Sequence, residues 1–422
     1  MPVYNAFLQL YLIGIRLAAR WNKKAAAWLE GRKTVFQQLQ QAITAGDQVI
    51  WMHCSSAGEF EQGKPVIEAI KKTYPQKKIL VSFFSPSGYA VAKNYPAADV
   101  ITYLPLDTRE NALRFFEMTR PELVIFVKYE FWYHHLSVAN FHHVPILLIS
   151  AVFRREQVFF QPYGKFYRQI LFLFRHLFVQ DAASLSLLQE NGIQHCSICG
   201  DTRFDRVAEI AGHVSAIPLI EDFINGKDVI VAGSTWQGDE TVLADYLKEN
   251  RNLKLILAPH EINSKHIEQV QTLFPQSVLY SSFAGNDSSY DLHETLANAA
   301  VLIIDSVGLL SRLYAYATIT YVGGGFTKDG IHNCLEAAVW GKPVLFGPNY
   351  KKYREAKELL AAGGAFSFST ADELKKIADD LLTNERHLQE TGLKAENYIV
   401  KNTGATGKIM QVIQEKRLLT NW

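Results

Sequence analysis

Four cysteines, Cys54, Cys196, Cys199 and Cys334, are all that the 422 residues contain, which excludes a disulfide-stapled scaffold. Cys196-Ser-Ile-Cys199 has the spacing of a redox pair or of half a zinc site. No second Cys pair or His pair completes such a site, and the four read as reduced core thiols. Net charge is missing too: 43 Lys and Arg stand against 42 Asp and Glu. A dedicated nucleic-acid binder would carry a strong basic excess, so that class is excluded. No Gly-Lys-Ser/Thr follows any glycine-rich turn, so there is no P-loop. The absence of GxGxxG after the first apolar run weakens a dinucleotide dehydrogenase. No Asp-x-Asp pair is present to hold a divalent ion for a diphosphate, and no metal is expected.

Long hydrophobic runs are absent, with one near exception at the N-terminus. The stretch Val3–Ala19 is largely apolar but broken by Asn5, Gln9 and Arg16. It lies near the lower limit of the roughly 17–25 residues that span a bilayer. The small-residue cleavage site of a removable signal peptide does not follow it. Arg16, Arg20, Lys23, Lys24, Arg32 and Lys33 form a cationic flank, which favours the cytoplasmic side and anionic headgroups. Residues 1–33 are expected to be a membrane anchor and its basic flank, monotopic or barely spanning. A buried first helix is the alternative.

From Gln48 onward, apolar runs at 48–54, 78–84, 99–106, 122–127, 144–150 and 176–180 alternate with helical patterns. The alternation restarts after Pro218, with runs at 228–234, 253–259, 299–305, 318–324 and 342–347. Apolar strands separated by helices make parallel β-α-β units covered on both faces. The expected organisation is an α/β domain over 34–215, a second over 216–390, and a helical tail over 391–422 that packs back on the first.

Doubly wound sheets bind ligands beyond the carboxyl ends of their strands, and the unusual residues stand there. Ser55-Ser56-Ala57-Gly58-Glu59 follows the first run. Gly58 is expected to allow a tight turn, and Glu59 to open the next helix. There the positive helix end favours an ionised carboxylate able to take a proton from a hydroxyl. A plain helix-dipole partner is the alternative for Glu59, and a surface-loop acid the alternative for Glu130, which follows the fourth run. In the second half Gly233-Ser234-Thr235, Asp305-Ser306-Val307-Gly308 and Gly323-Gly324-Gly325 are expected to lead into helices and to suit phosphate. The last leads to His332-Asn333-Cys334-Leu335-Glu336 on a following helix, where Glu336 is placed to accept from ribose hydroxyls. Residues 153–176 interleave Phe and Tyr with Arg and Lys. They suit either a core helix with solvated charges or a surface against lipid headgroups.

HCSSAGE (53–59), KYEFW (128–132), CGDTRFD (199–205), AGSTWQGDE (232–240), DSVG (305–308) and GGGFTKDGIHNCLEAAVWGKPVLFGP (323–348) run in order along almost the whole chain. Together with the N-terminal apolar segment, they resemble the 3-deoxy-D-manno-octulosonic acid (Kdo) transferases, glycosyltransferases of the GT-B fold. The resemblance implies two Rossmann-like parallel-sheet domains facing a central cleft. It implies a CMP-Kdo donor as substrate, no cofactor, and a lipid A precursor (lipid IVA) as acceptor. The place implied is the cytoplasmic face of the inner membrane, in lipopolysaccharide core biosynthesis, with no nucleic-acid partner. Glu59 would be the general base of an inverting transfer, with Glu130 and Arg203 stabilising its transition state. Ser55, Ser56 and Gly58 would lie on the acceptor side. CMP-sugar contacts would fall to Gly233, Ser234, Thr235, Pro259, His260, Val307, Gly308, Leu309, Asn333, Cys334, Leu335 and Glu336. Three departures stand out: Arg203 where the family commonly has Lys, Pro259-His260-Glu261 for Pro-Arg-His, and Cys334 for Pro. Arg keeps the charge at 203 but presents it as a planar fork. Two other readings remain open at this point: a GT-B transferase or epimerase using a UDP-sugar, and a membrane-tethered nucleotide-binding protein without catalysis.

Overall fold

A computed structural model describes residues 2–213, 216–217, 219–250, 252–283 and 290–419. They form two compact units, Met1–Arg206 with Thr403–Trp422, and Val207–Asn402. The boundary expected between 215 and 216 falls partly on residues outside those described.

The first unit carries β1 (Val49–Cys54), β2 (Lys78–Phe83), β3 (Val100–Tyr103), β4 (Pro121–Val127), β5 (Ile146–Ala151), β6 (His176–Val179) and β7 (Cys196–Ile198), in spatial order β3-β2-β1-β4-β5-β6-β7. The second carries β8 (Val229–Thr235), β9 (Lys254–Pro259), β10 (Ser277–Leu279), β11 (Val301–Ile303), β12 (Ile319–Val322), β13 (Val344–Phe346) and β14 (Ala365–Ser367), in order β10-β11-β9-β8-β12-β13-β14. Every pairing is parallel. Strand order reverses between β1 and β4 in one sheet and between β8 and β12 in the other, and such switch points are where open α/β sheets bind ligands. No apolar run announced β10 or β14. Both are three-residue edge strands, too short to show a period.

Side chains alternate across the first sheet. Val49, Trp51, Val124 and Phe126 pack on one face, and Ile50, Met52, Ile125 and Val127 on the other. That second face is covered by α4 (Ala57–Thr73), through Phe60, Val66, Ile67 and Ile70, and by the helix Ala405–Glu415, through Ile409 and Ile413. Each such buried side chain contributes about 1.5–3 kcal/mol. Asp205 holds the start of the Ala405–Glu415 helix by accepting from the N–H groups of Gly404 and Thr406 at 2.5 and 2.6 Å.

Ahead of β1 stand α1 (Pro2–Ala18), α2 (Lys23–Lys33) and α3 (Val35–Ala42). Among the described residues no helix is long and apolar enough to cross a membrane, so the spanning form of the anchor is not found. Instead α1 lies on the first unit with Tyr4 and Leu8 buried, while Val3, Phe7, Leu10, Ile13 and Leu17 stay exposed. Residues 153–176, read as either a core helix or a surface against lipid headgroups, form no single helix: Val158–Phe160 and Pro162–Gly164 are single 3₁₀ turns before a helix at Lys165–Leu171. The chain folds on itself there because Phe159, Ile170, Leu171 and Phe174 all reach the core. All four cysteines are buried and none of them forms a disulfide.

Candidate active site

Glu59 and Glu130 follow β1 and β4, the two strands that flank the switch point of the first sheet. Ser56 is the N-cap of α4 and forms a reciprocal capping box with Glu59. The Glu59 carboxylate accepts from the N–H of Ser55 at 2.5 Å and of Ser56 at 3.0 Å, both on Oε2. Oε1 makes neither bond. Burial raises the pKa of Glu59 above the ordinary carboxylate value, while the Ser56 and Ser55 N–H groups and the charge of Lys128 oppose the rise. The result is a carboxylate whose affinity for a proton is raised. Glu130 is pushed up to about 7, first by burial and then by the negative charge of Glu59, with the Ser55 hydroxyl working the other way. Two neighbouring carboxylates thus differ in proton affinity, the pattern that separates acid and base roles.

The surrounding chain is fixed from outside. His53 is fully buried and held neutral, its pKa lowered to about 3 chiefly by burial. Its Nε2 accepts from Trp132 Nε1 at 3.1 Å, and its Nδ1 faces Ser82 Oγ at 2.9 Å. The proton therefore sits on Nδ1, and the ring tethers the loop that bears Glu130. Lys128 and Ser150 have left-handed backbones, φ 62° and 57°, at or beside the ends of β4 and β5. Non-glycine residues in that region mark places where strain is retained for a reason.

Arg203 opens the helix Thr202–Gly212 and grips Asp201, with Nε and Nη2 both on Oδ2 at 3.0 and 2.7 Å and its own N–H on Oδ1. Burial works against the Asp201 charge, but Arg203 outweighs it and holds the carboxyl below its usual range. Asp201 also accepts from Gln62 at 3.1 Å, one turn beyond Glu59 on α4. So the guanidinium is aimed by the same helix that carries the acid.

In the second unit the switch point is built from two turns pressed together. Gly323 N donates to the Gly233 carbonyl at 2.8 Å, and a Cβ on Gly323 would stand 2.3 Å from the Ser234 oxygen. Ser234 has φ 54°. Buried Asp239 ties the turns together, accepting from Trp236 N, Gly324 N and the Tyr321 hydroxyl at 2.9, 2.8 and 2.6 Å. His260 lies between two rings, 4.8 Å from Trp236 and 4.4 Å from His332, each at 25°. Asn333 Nδ2 donates to Glu336 Oε1 at 2.9 Å. Gly308, with φ 89°, and Val307, 84 % exposed, form an open turn after β11.

Several expectations are corrected. Gly58 makes no turn: it is the second residue of α4, its φ is not left-handed, and a Cβ there meets nothing. Only the first of the three turns in the second unit leads to a substantial helix, Gln237–Glu249. The segments Leu310–Leu313 and Leu335–Ala338 are four residues each, too short for a dipole to matter. His332 and Asn333 precede the latter rather than riding on it. Cys334 and Leu335 are fully buried, and Thr235 is turned inward to Glu240 Oε1 at 3.0 Å, so these three offer a ligand backbone only. Pro259 is likewise a buried strand end. Sequence reasoning passed over Asp201, Asp239, Trp236 and Lys128, although each lies inside a motif it had quoted. Among the described residues no group of three or more His, Cys, Asp or Glu side chains is placed to hold a metal ion.

Two doubly wound sheets in series, each with its distinctive residues at the switch point, define a GT-B fold. Solved structures with this architecture agree: the UDP-GlcNAc 2-epimerase from Neisseria meningitidis (TM-score 0.59, 15 % identity, 87 % of this chain and 100 % of that one) and MurG from Acinetobacter baumannii (TM-score 0.54, 13 % identity, 87 % and 99 %). Residues 22–206 match the family model described as 3-deoxy-D-manno-octulosonic-acid transferase (kdotransferase). Curated 3-deoxy-D-manno-octulosonic acid transferases from Aquifex aeolicus (29 % identity, 81 % of this chain, 88 % of the relative) and Haemophilus influenzae (24 % identity, 87 % of each) align with it. The chain is thus similar to Kdo transferases, to their family model over residues 22–206 and to relatives of 24–29 % identity over more than four fifths of its length.

Proposed function

We propose that this chain transfers Kdo from CMP-Kdo to a sugar hydroxyl of a lipid A precursor, with inversion and with Glu59 as the general base. The observation that carries the reading is the Glu59 carboxylate: anchored through one oxygen, raised in basicity by burial, and standing beside a second carboxylate at the switch point. In the reaction the acceptor hydroxyl gives its proton to Glu59, its oxygen bonds to the anomeric carbon, and CMP departs with the electrons of the broken bond. Glu130, poised to carry a proton near neutrality, donates a hydrogen bond to developing negative charge, and Arg203 supplies fixed positive charge. A general base of this kind contributes ~10²–10⁴-fold. The close-packed turns at Gly233–Ser234 and Gly323–Gly324, with the ring of His260, are the surface for the nucleotide.

Membrane placement belongs to the same reading. The exposed row Val3, Phe7, Leu10, Ile13 and Leu17, followed by Trp21 and the basic flank, suits a helix lying in the plane of an anionic, cytoplasmic leaflet rather than across it.

The test is incubation with CMP-Kdo and lipid IVA, followed by mass measurement of the lipid. A gain of one or more Kdo units is expected from the wild type and not from Glu59→Gln. Thermal stabilisation by UDP but not by CMP would overturn the donor assignment.

A further inference from the structure

The buried carboxylate of Asp107 has no part in the chemistry above, yet it joins three segments of the first unit. It lies after β3 and is 1 % exposed. The helix Tyr133–Phe141 begins at Trp132 without a side-chain cap of its own. Asp107 caps it from a distance, accepting from His134 N on Oδ2 at 3.0 Å and from His135 N on Oδ1 at 2.9 Å. Its Oδ1 also pairs with His135 Nδ1 at 2.6 Å. The remaining bond comes from α1: the Tyr4 hydroxyl donates to Oδ2 at 2.5 Å and accepts from Tyr133 N at 3.4 Å. Asn5 adds a second tie, Oδ1 to His134 Nε2 at 2.8 Å.

One turn or two further along α1, Tyr11 packs on Phe84 and Trp28 with ring centroids 6.2 and 5.9 Å apart. Phe84 in turn stacks on Trp132 at 4.7 Å and 25°. Thus α1 reaches the tail of the Glu130 loop, Trp132, through Phe84, and holds directly the helix start that follows it. Between Lys128, with its left-handed backbone, and Trp132 there are only three residues, and Glu130 is the middle one.

We propose that α1 is a positioning element for Glu130, acting through Tyr4 and the positioning residue Asp107. The face of α1 that turns inward sets the acid, while the opposite face carries the exposed apolar row. This rests on the assignment of Glu130 to the transfer reaction. Removing a charge-assisted bond at the cap loosens the loop, and a displacement of an ångström or so at a reacting group costs on the order of a hundredfold in rate.

The full-length chain with Tyr4→Phe, which deletes one hydroxyl, and with Asp107→Asn are the variants. Kdo transfer is expected to fall in kcat by on the order of tenfold for Tyr4→Phe and more for Asp107→Asn, with the KM for CMP-Kdo unchanged. Amides 128–135 should exchange hydrogen faster in Tyr4→Phe than in the wild type, with β1 and α4 protected as before. Unchanged kcat, or unchanged exchange over 128–135, overturns the proposal. The exchange measurement needs no substrate, so a wild type inactive toward CMP-Kdo would sink the donor assignment and leave the hold of α1 on residues 128–135 to be judged on its own. Should Asp107→Asn not fold, Tyr4→Phe decides.

Discussion

Replacing Glu59 by Gln separates the cap that the side chain forms from the base that it is proposed to be. As a cap, Glu59 accepts from Ser55 N and Ser56 N through a single oxygen. A glutamine carbonyl accepts the same two bonds, so the helix start should survive. Burial disfavours the charge of Glu59 more than the positive end of α4 favours it, so losing that charge should not destabilise the fold and the unfolding midpoint should move little. As a base, the carboxylate has no substitute in glutamine. Losing ~10²–10⁴ in rate corresponds to about 2.7–5.4 kcal/mol of transition-state stabilisation at 1.36 kcal/mol per factor of ten. The rate effect should therefore exceed the stability effect several-fold. The assay pairs initial rates of Kdo transfer, read by mass of the lipid product, with thermal melting of the same preparations. A variant that keeps its melting point and loses less than tenfold in kcat refutes the role of Glu59 as base. One that melts far lower and loses activity in proportion shows a cap and nothing more. Ala is the poorer choice, since it deletes the cap together with the base, at about 0.5–2 kcal/mol.

Other consequences follow from the same geometry. Glu130 has a folded-state pKa of about 7, above the ordinary value of 4.5, so its contribution to stability is complete at low pH and lost as pH rises from about 4.5 through 7. Melting followed over that window should fall less steeply with pH in Glu130→Gln, and an unchanged slope would contradict the placement of the group. In Glu59→Gln the neighbouring negative charge is gone, and the Glu130 carboxyl, followed by carbon NMR, should titrate at lower pH than in the wild type. Gly323→Ala puts a Cβ against the backbone oxygen of Ser234, which cannot swing aside as a side chain would. The stabilisation conferred by CMP, about 2.7 kcal/mol at a hundredfold excess over Kd in an intact site, should disappear. Phe7→Asp with Leu10→Asp should release the chain from anionic vesicles while leaving melting unchanged, and wild-type binding should weaken with added salt.

The sheets were legible because buried parallel strands are written as continuous apolar runs, and eleven such runs became strands. What escaped were three-residue edges such as β10 and β14, where pairing on one side suffices and no period can develop. The site was legible at the level of motifs but not of orientation. Cys334 and Leu335 sit in the same motif as Asn333 and Glu336, yet the tight turn there buries the first two and leaves the others half-buried. Nothing in linear order distinguishes them. Gly58 misled for a related reason: a glycine after a strand suggests a turn, whereas here it lies in the first turn of a helix with open space above it.

Glu59 shows why the modest and the ambitious reading of a residue need not compete. A carboxylate at N3 of a helix is what a capping box calls for, and a cap by itself asks nothing more of it. The capping bonds, however, are what a base requires: they fix the group within a fraction of an ångström and favour its ionised form. Burial pulls the other way and raises its affinity for a proton. Had the cap stood alone, on an exposed helix, the pKa would fall and the base would be weak. Had burial stood alone, the group would stay protonated and accept nothing. Only a helix start set into the mouth of a sheet, beside a second acid, meets both conditions, and in the first unit that place is the β1–β4 switch point.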